Sequence, residues 1–332
     1  LGGTSAVVDQ VTQNTERGIM QNFNTIYHYI ADEFTYLTQN YGNKIFDVVL
    51  AIGVDSNDFG YGSMESMTEL VYPLMSAENR TISFDYYPCL TGDLKTNSAS
   101  FIYKLHKTRT TADTFDGGTK YRIYYYGQEW NNTDQTREYA DESNVTYQIY
   151  TAMTYGMNMF VAYKYAAYWN EFVIDRDFIQ NYYNYTEYWW YNKLAMDEIK
   201  NYDYIYLPFA DDWRGTMFFE GSQNTRTEMR ANEYAGNGVT FLASHDRIAS
   251  VSTTQDLLIG TFKDSAGRDG FMLANQANPF DKLGTTVSVK FNNANKALAI
   301  IDGEQKTVDL TDGVLNMELN NGGGAFVIPY NE

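Results

Sequence analysis

The sequence predicts an α/β module followed by an all-β module, and two patterns carry that reading. Between residues 19 and 171, continuous apolar runs alternate with helical spacing, and the runs recur about every 35 to 40 residues, as in βα units with a parallel sheet. From Val239 onward, short, partly alternating runs are separated by Gly, Asp and Asn at roughly 8 to 14 residues, the pattern of an antiparallel sandwich. The change of character falls near residues 220–240. It divides the chain into an α/β module over 1–220 and a sandwich over 235–332.

The elements follow in order. Phe23, Ile26, Tyr27, Ile30, Phe34 and Leu37 recur at helical spacing between Ile19 and Asn40, and Gly42 is placed to end that helix. Ile45 to Ile52 is a continuous apolar run of the kind buried parallel strands show. A Gly-rich loop, Gly53 to Gly62, leads to a helix from Ser63 to Leu74. Thr81 to Cys89 reads as the next strand, interrupted by Asp85 just before Tyr86, Tyr87 and Pro88. A carboxylate near a strand's C-terminal end is a poor packing choice, so Asp85 is a site candidate. A short helix is expected over Ser98 to Lys107, a strand over Tyr121 to Gly127, and a helix over Ser143 to Tyr155 stopped by Gly156. Met157 to Tyr165 reads as a strand leading into Ala166, Ala167, Tyr168, Trp169, Asn170 and Glu171. One long helix is expected from Thr186 to Tyr204, then a polar turn at Asp211, Asp212 and Trp213. In the sandwich, Gly322 to Gly324 is a turn, because no Lys-Ser/Thr and no helix follow as a phosphate loop requires.

Composition narrows the function classes. A hydrophobic share of 44% in 332 residues supports a large core and excludes a disordered chain. A net charge of −18 without a basic run argues against nucleic acid and against anionic membrane surfaces. No apolar run approaches a membrane span, and the opening LGGTSAVVDQVTQ lacks the basic start and apolar core of a secretory signal. Cys89 is the only cysteine, so no intrachain disulfide can form, and its apolar surroundings suit an inert thiol. His28, His106 and His245 lack metal-ligand spacing, and Asp55 and Asp58 read as a solvated loop, so neither metal nor cofactor is expected. Sequons at Asn79, Asn131, Asn144 and Asn184 matter only in a secreted chain.

The densest chemistry is KYRIYYYGQEWNN, Lys120 to Asn132. Gly127 is expected to end the strand and turn the backbone, presenting an amide, a carboxylate and an indole in succession: Gln128, Glu129 and Trp130. A carboxylate can act as nucleophile or base. The aromatic residues suit stacking on sugar faces, and the 30 Tyr, 19 Phe and 5 Trp of the chain serve equally as packing material. Tyr86, Trp130 and Trp169 are candidate sugar platforms, and Glu171 is a candidate rim residue.

These pieces, taken in order, resemble the retaining β-galactosidase-like glycoside hydrolases with a (β/α)8 barrel and their bacterial relatives. SFDYYP at Ser83 to Pro88 is similar to the end of their sixth barrel strand. IYYYGQEW at Ile123 to Trp130 sits where their seventh strand delivers the nucleophilic glutamate. YQIYTAMTYGMNMFVAYKY at Tyr147 to Tyr165 is similar to the helix, glycine and eighth strand that close the barrel. LIGTFKDSAGRDGFMLANQANP, with the terminal GGGAFVIPY, looks like their C-terminal sandwich. The likeness covers most of residues 44–332.

The resemblance implies the second half of a (β/α)8 TIM barrel followed by an antiparallel β-sandwich, with Ile45–Ile52 as strand five. It implies a carbohydrate-degrading enzyme in which Glu129 is the nucleophile. Asp85, Tyr86, Gln128, Trp130, Trp169 and Glu171 would hold the substrate, an oligosaccharide or glycan. The general acid/base would lie on strand four, upstream of this chain. The missing N-terminal half-barrel would come from the same polypeptide or a partner chain, since open strand edges are costly. The family has no glycine–glutamine insert before its glutamate. If Gln128 takes the nucleophile's place, the protein is instead an inactive glycan-binding or structural component of an extracellular assembly. The expected location is extracellular or at the cell surface, with the bacterial cytoplasm as the alternative.

Overall fold

A computed structural model describes residues 36, 39–40, 81–89, 94–115, 122–128, 142–163, 187–223 and 238–332. The strand expected at Ile45–Ile52 and the helices on either side of it lie outside the described residues, Tyr36, Gln39 and Asn40 excepted. The chain divides into two compact units. One comprises Leu1–Asp85 and Lys107–Tyr124, the other Tyr86–His106 and Tyr125–Glu332.

The α/β part contains β1 (Thr81–Asp85), α1 (Leu94–Phe115), β2 (Arg122–Gln128), α2 (Glu142–Met153) and β3 (Met157–Tyr163). The three strands form a parallel sheet in chain order, β1-β2-β3. Helical crossovers between neighbouring strands produce that order. α1 is much longer than the helix expected at Ser98–Lys107. Gly127 does not turn the chain, because β2 runs through it to Gln128. A Cβ at Gly127 would lie 2.2 Å from the Phe160 ring, so the glycine is there to let β3 approach.

Among the described residues two helices follow, α3 (Glu187–Lys200) and α4 (Asp203–Ala210), where one had been expected over Thr186 to Tyr204. The break at Asn201 and Tyr202 carries no Gly or Pro to announce it. No helix among the described residues is long and apolar enough to cross a membrane.

The antiparallel part begins earlier than the composition shift suggested. Trp213, expected in a polar turn, opens β4 (Trp213–Phe219), which pairs with β6 (Leu257–Lys263). The remaining strands are β5 (Ile248–Thr253), β7 (Asp269–Asn275), β8 (Thr285–Phe291), β9 (Lys296–Ile301), β10 (Glu304–Asp309), β11 (Val314–Leu319) and β12 (Gly324–Tyr330). They form a six-stranded sheet, β10-β9-β12-β7-β6-β4, and a three-stranded one, β11-β8-β5. In β8 the inward residues Thr285, Val287, Val289 and Phe291 alternate with outward Thr286, Ser288 and Lys290, as a sheet with one wet face requires. The shared core holds Leu257, Ile259, Phe271, Leu273, Leu315, Met317, Ala325 and Val327. Asp302 and Gly303, with φ of 47° and 75°, make the two-residue turn between β9 and β10 that Asp-Gly favours.

The six-stranded sheet is buried on its second face as well. Leu258, Phe262, Met272 and Phe326 point away from the sandwich core and are still buried. Tyr206 of α4 meets Phe262 and Phe326 edge-on, and Phe209 meets Phe326. Three glycines on adjacent strands admit the helical layer. A Cβ on Gly260 would lie 2.2 Å from the Thr154 carbonyl oxygen, one on Gly324 2.3 Å from the Tyr150 ring, and one on Gly270 2.7 Å from the Phe209 ring. The Thr154 carbonyl, just past α2, also accepts from Trp213 Nε1 at 3.1 Å and Thr216 Oγ1 at 2.9 Å, fixing β4 to α2.

Candidate functional site

Of the residues that the sequence offers as a site, Asp85 ends β1, Tyr86 follows it and Gln128 ends β2. β1 buries Thr81, Ile82, Ser83 and Phe84 and leaves its last residue, Asp85, half-buried. The backbone then continues beside β2, where Tyr86 N–H donates to Tyr126 O at 3.4 Å. The residue that follows β1, Tyr86, is therefore a neighbour of the end of β2. Glu129, Trp130, Trp169 and Glu171 lie outside the described residues.

Tyr86 is held by packing. Its ring stacks on Phe101 of α1 with centroids 5.9 Å apart and planes 11° from parallel, and Lys104 Nζ lies 5.4 Å from the ring centroid. Its carbonyl oxygen is 2.8 Å from the Tyr125 hydroxyl, which is also 2.8 Å from Gln148 Oε1. A hydroxyl has one proton, so these two acceptors share a single donor. The Tyr125 ring packs between Phe101 and Phe160. This network ties the start of the β1 loop to β2 and α2.

Sequence reasoning missed Tyr125, Lys104 and Gln148, which do this positioning. Tyr125 sits in a run of three tyrosines whose members differ only in which face they occupy. Gln148 Nε2 donates to the Asn144 carbonyl one turn earlier on α2, at 3.1 Å. Asn144 is fully buried, and neither polar atom of its side chain has a hydrogen-bond partner. Its sequon is sealed inside α2 in the folded protein and is closed to glycosylation. The other three sequons lie outside the described residues.

Strand alternation sorts the residues of β2 by face. Tyr125 and Gly127 share the face that meets Phe101, Gln148 and Phe160. Tyr124, Tyr126 and position 128 belong to the opposite face. Burial pushes the Cys89 thiol up to about 12, so it stays protonated and unreactive at neutral pH.

No family model matches this sequence, and no curated protein does. Among solved structures, a GH27 β-L-arabinopyranosidase from Geobacillus stearothermophilus overlaps 92% of this chain and 61% of its own, at 10% identity and a TM-score of 0.42. An α-amylase from Anoxybacillus overlaps 93% of this chain and 64% of its own, at 8% identity and a TM-score of 0.44. A glycoside hydrolase family 44 endoglucanase from Clostridium acetobutylium overlaps 93% and 61%, at 8% identity and a TM-score of 0.43. The chain thus spans less than two thirds of the length of these structures. At such overlaps no residue role passes from them to this chain.

Proposed function

We propose that this chain carries part of a carbohydrate-active site at the C-terminal edge of the β1–β2–β3 sheet, and that it acts as a retaining, β-galactosidase-like glycoside hydrolase on an oligosaccharide or glycan. The observation supporting this is the Tyr86 N–H to Tyr126 O bond, which sets the first residue after β1 beside the end of β2. Loops at that edge are where α/β folds keep their sites. Glu129 attacks the anomeric carbon as the bond to the leaving oxygen breaks. A second carboxylic acid, about 5 Å from the first in retaining enzymes, protonates that oxygen and then takes a proton from the water that hydrolyses the glycosyl–enzyme ester. Asp85, Tyr86, Gln128, Trp130, Trp169 and Glu171 hold the sugar.

A second reading is favoured by the alternation along β2. The face bearing Tyr125 and Gly127 is filled by side chains from α1, α2 and β3. Position 128 belongs by alternation to the opposite face, away from that packing. An amide there binds sugar hydroxyls and cleaves nothing, which makes the chain a glycan-binding component of an assembly.

Aryl-glycoside hydrolysis by Glu129→Gln separates the two. The hydrolase reading expects kcat to fall by about 10³-fold or more, as when a covalent nucleophile is lost. Unchanged turnover sinks the nucleophile assignment. A protein that binds glycans without hydrolysing them, and gains hydrolysis as Gln128→Glu, supports the second reading.

A further inference from the structure

Glu198 sits where α3 meets the β9–β10 turn. Its Oε1 accepts a hydrogen bond from the Tyr150 hydroxyl of α2. A Cβ on Gly303 would lie 2.6 Å from Glu198 Cγ, so only a glycine turn lets the acid side chain pack there. Tyr150 is itself pressed against β12 at Gly324. Asp302, beside Gly303, accepts from Asn320 Nδ2 at 2.8 Å. One continuous row of contacts thus joins β12, α2, α3 and the β9–β10 hairpin. The titratable groups facing Glu198 are Tyr150 and Glu142 from α2, Tyr202 from the break between α3 and α4, and Asp302 from the turn. Lys306 and Glu304 of β10 face Asp302, and they pair with each other at 3.2 Å.

We propose that this row is a proton-operated latch: protonated Glu198 keeps α3 seated on the β9–β10 hairpin, and its ionisation loosens helix and hairpin together. Burial is the main force on the Glu198 carboxyl and lifts it to about 7; the Tyr150 hydrogen bond opposes this, while Asp302 and Glu142 add to it. Asp302 is pushed up to about 6, again mainly by burial, with the Asn320 hydrogen bond opposing. Both groups therefore favour the proton in the folded state. The stability they lend is complete below the ordinary carboxylate value of 4.5 for Glu198, falls as pH rises, and is lost once pH passes about 7. In sequence, α3 directly follows the segment carrying Trp169 and Glu171, so the latch holds the helix on which that segment ends.

Amide hydrogen exchange, expressed as protection factors at about pH 5 and about pH 8, tests this in the whole chain. In the wild type, protection of residues 187–200 and 296–309 is expected to fall by about tenfold or more across that range, while β8 and β11 keep theirs. Glu198→Gln retains the acceptor for Tyr150 and cannot ionise, so its α3 and hairpin should lose much less protection than the wild type, the remaining loss coming from Asp302. Equal loss in Glu198→Gln and wild type overturns the latch. So does a wild-type loss spread evenly over α3, β8 and β11, or no loss at all.

Discussion

At the scale of single residues, the glycines that matter most are those where two backbones meet. Gly260 faces the Thr154 carbonyl, which already accepts two hydrogen bonds. Gly260→Ala places a methyl 2.2 Å from that oxygen, and backbone cannot swing aside as a side-chain tip can. The expected cost is about 1–3 kcal/mol by overpacking, read as a lower urea midpoint with unchanged slope. Gly267 is the control: a Cβ there meets nothing within 4 Å, and only its φ of 77° resists substitution. Gly267→Ala should cost about 1 kcal/mol from the left-handed backbone alone. Neither role was legible in the sequence. A glycine read along the chain signals a turn, whereas Gly127, Gly260 and Gly324 are required by partners 21 or more residues away, whose approach no local pattern records.

Among the elements, α2 is the least expected. Its apolar residues Val145, Ile149, Ala152 and Met153 announced one buried face, yet every residue from Ser143 to Met153 is buried. Asn144, Thr146, Gln148 and Thr151 look like a solvated face, and the six-stranded sheet covers what the parallel strands leave open. Polar residues survive there by bonding along their own helix and across it. Thr146 reaches the Ser143 carbonyl, Gln148 reaches Asn144 and Tyr125, and Thr151 accepts from Gln276. Asn144 is the exception, so its amide is a cost without a return. Asn144→Leu, which keeps the branching of the amide but is bulkier and apolar, should set the relief of two unpaired polar atoms against overpacking and so change stability by no more than about 1 kcal/mol, measured by denaturant unfolding. Tyr125→Phe brings no such relief. It strips the donor shared by the buried Gln148 Oε1 and the partly buried Tyr86 carbonyl and should destabilise by about 1–3 kcal/mol. The sandwich strands were more legible, because β8 and β11 each keep one wet face and so write their alternation into the sequence. β4 was not, since Gly215, Thr216 and Met217 are buried on both faces of the sheet and leave no period to read.

For the whole molecule, the sequence divides more sharply than the structure does. The composition break near residues 220–240 suggested a sandwich over 235–332. Instead the six-stranded sheet takes its edge strand from Trp213–Phe219 and lays a full apolar face against α2 and α4. A parallel-sheet helix layer and a sandwich face both hide apolar residues, and nothing in a linear pattern says that they hide them in each other. This makes the sandwich dependent on its helices. Leu258, Phe262, Met272 and Phe326 are each at most 1% exposed, and each loses about 1.5–3 kcal/mol of burial when the helical layer is removed. Together that is about 6–12 kcal/mol, the size of an ordinary domain's entire stability. A fragment of residues 211–332, which has every strand of both sheets, is therefore expected to lose fixed tertiary packing. It should bind a hydrophobic dye and show weak near-ultraviolet dichroism while keeping β structure. Within the whole chain, α2, α4 and the six-stranded sheet should lose hydrogen-exchange protection together. A fragment that unfolds cooperatively, at the midpoint its strands show in the intact protein, would mean that the sheet's second face contributes little and that the sandwich is an independent domain.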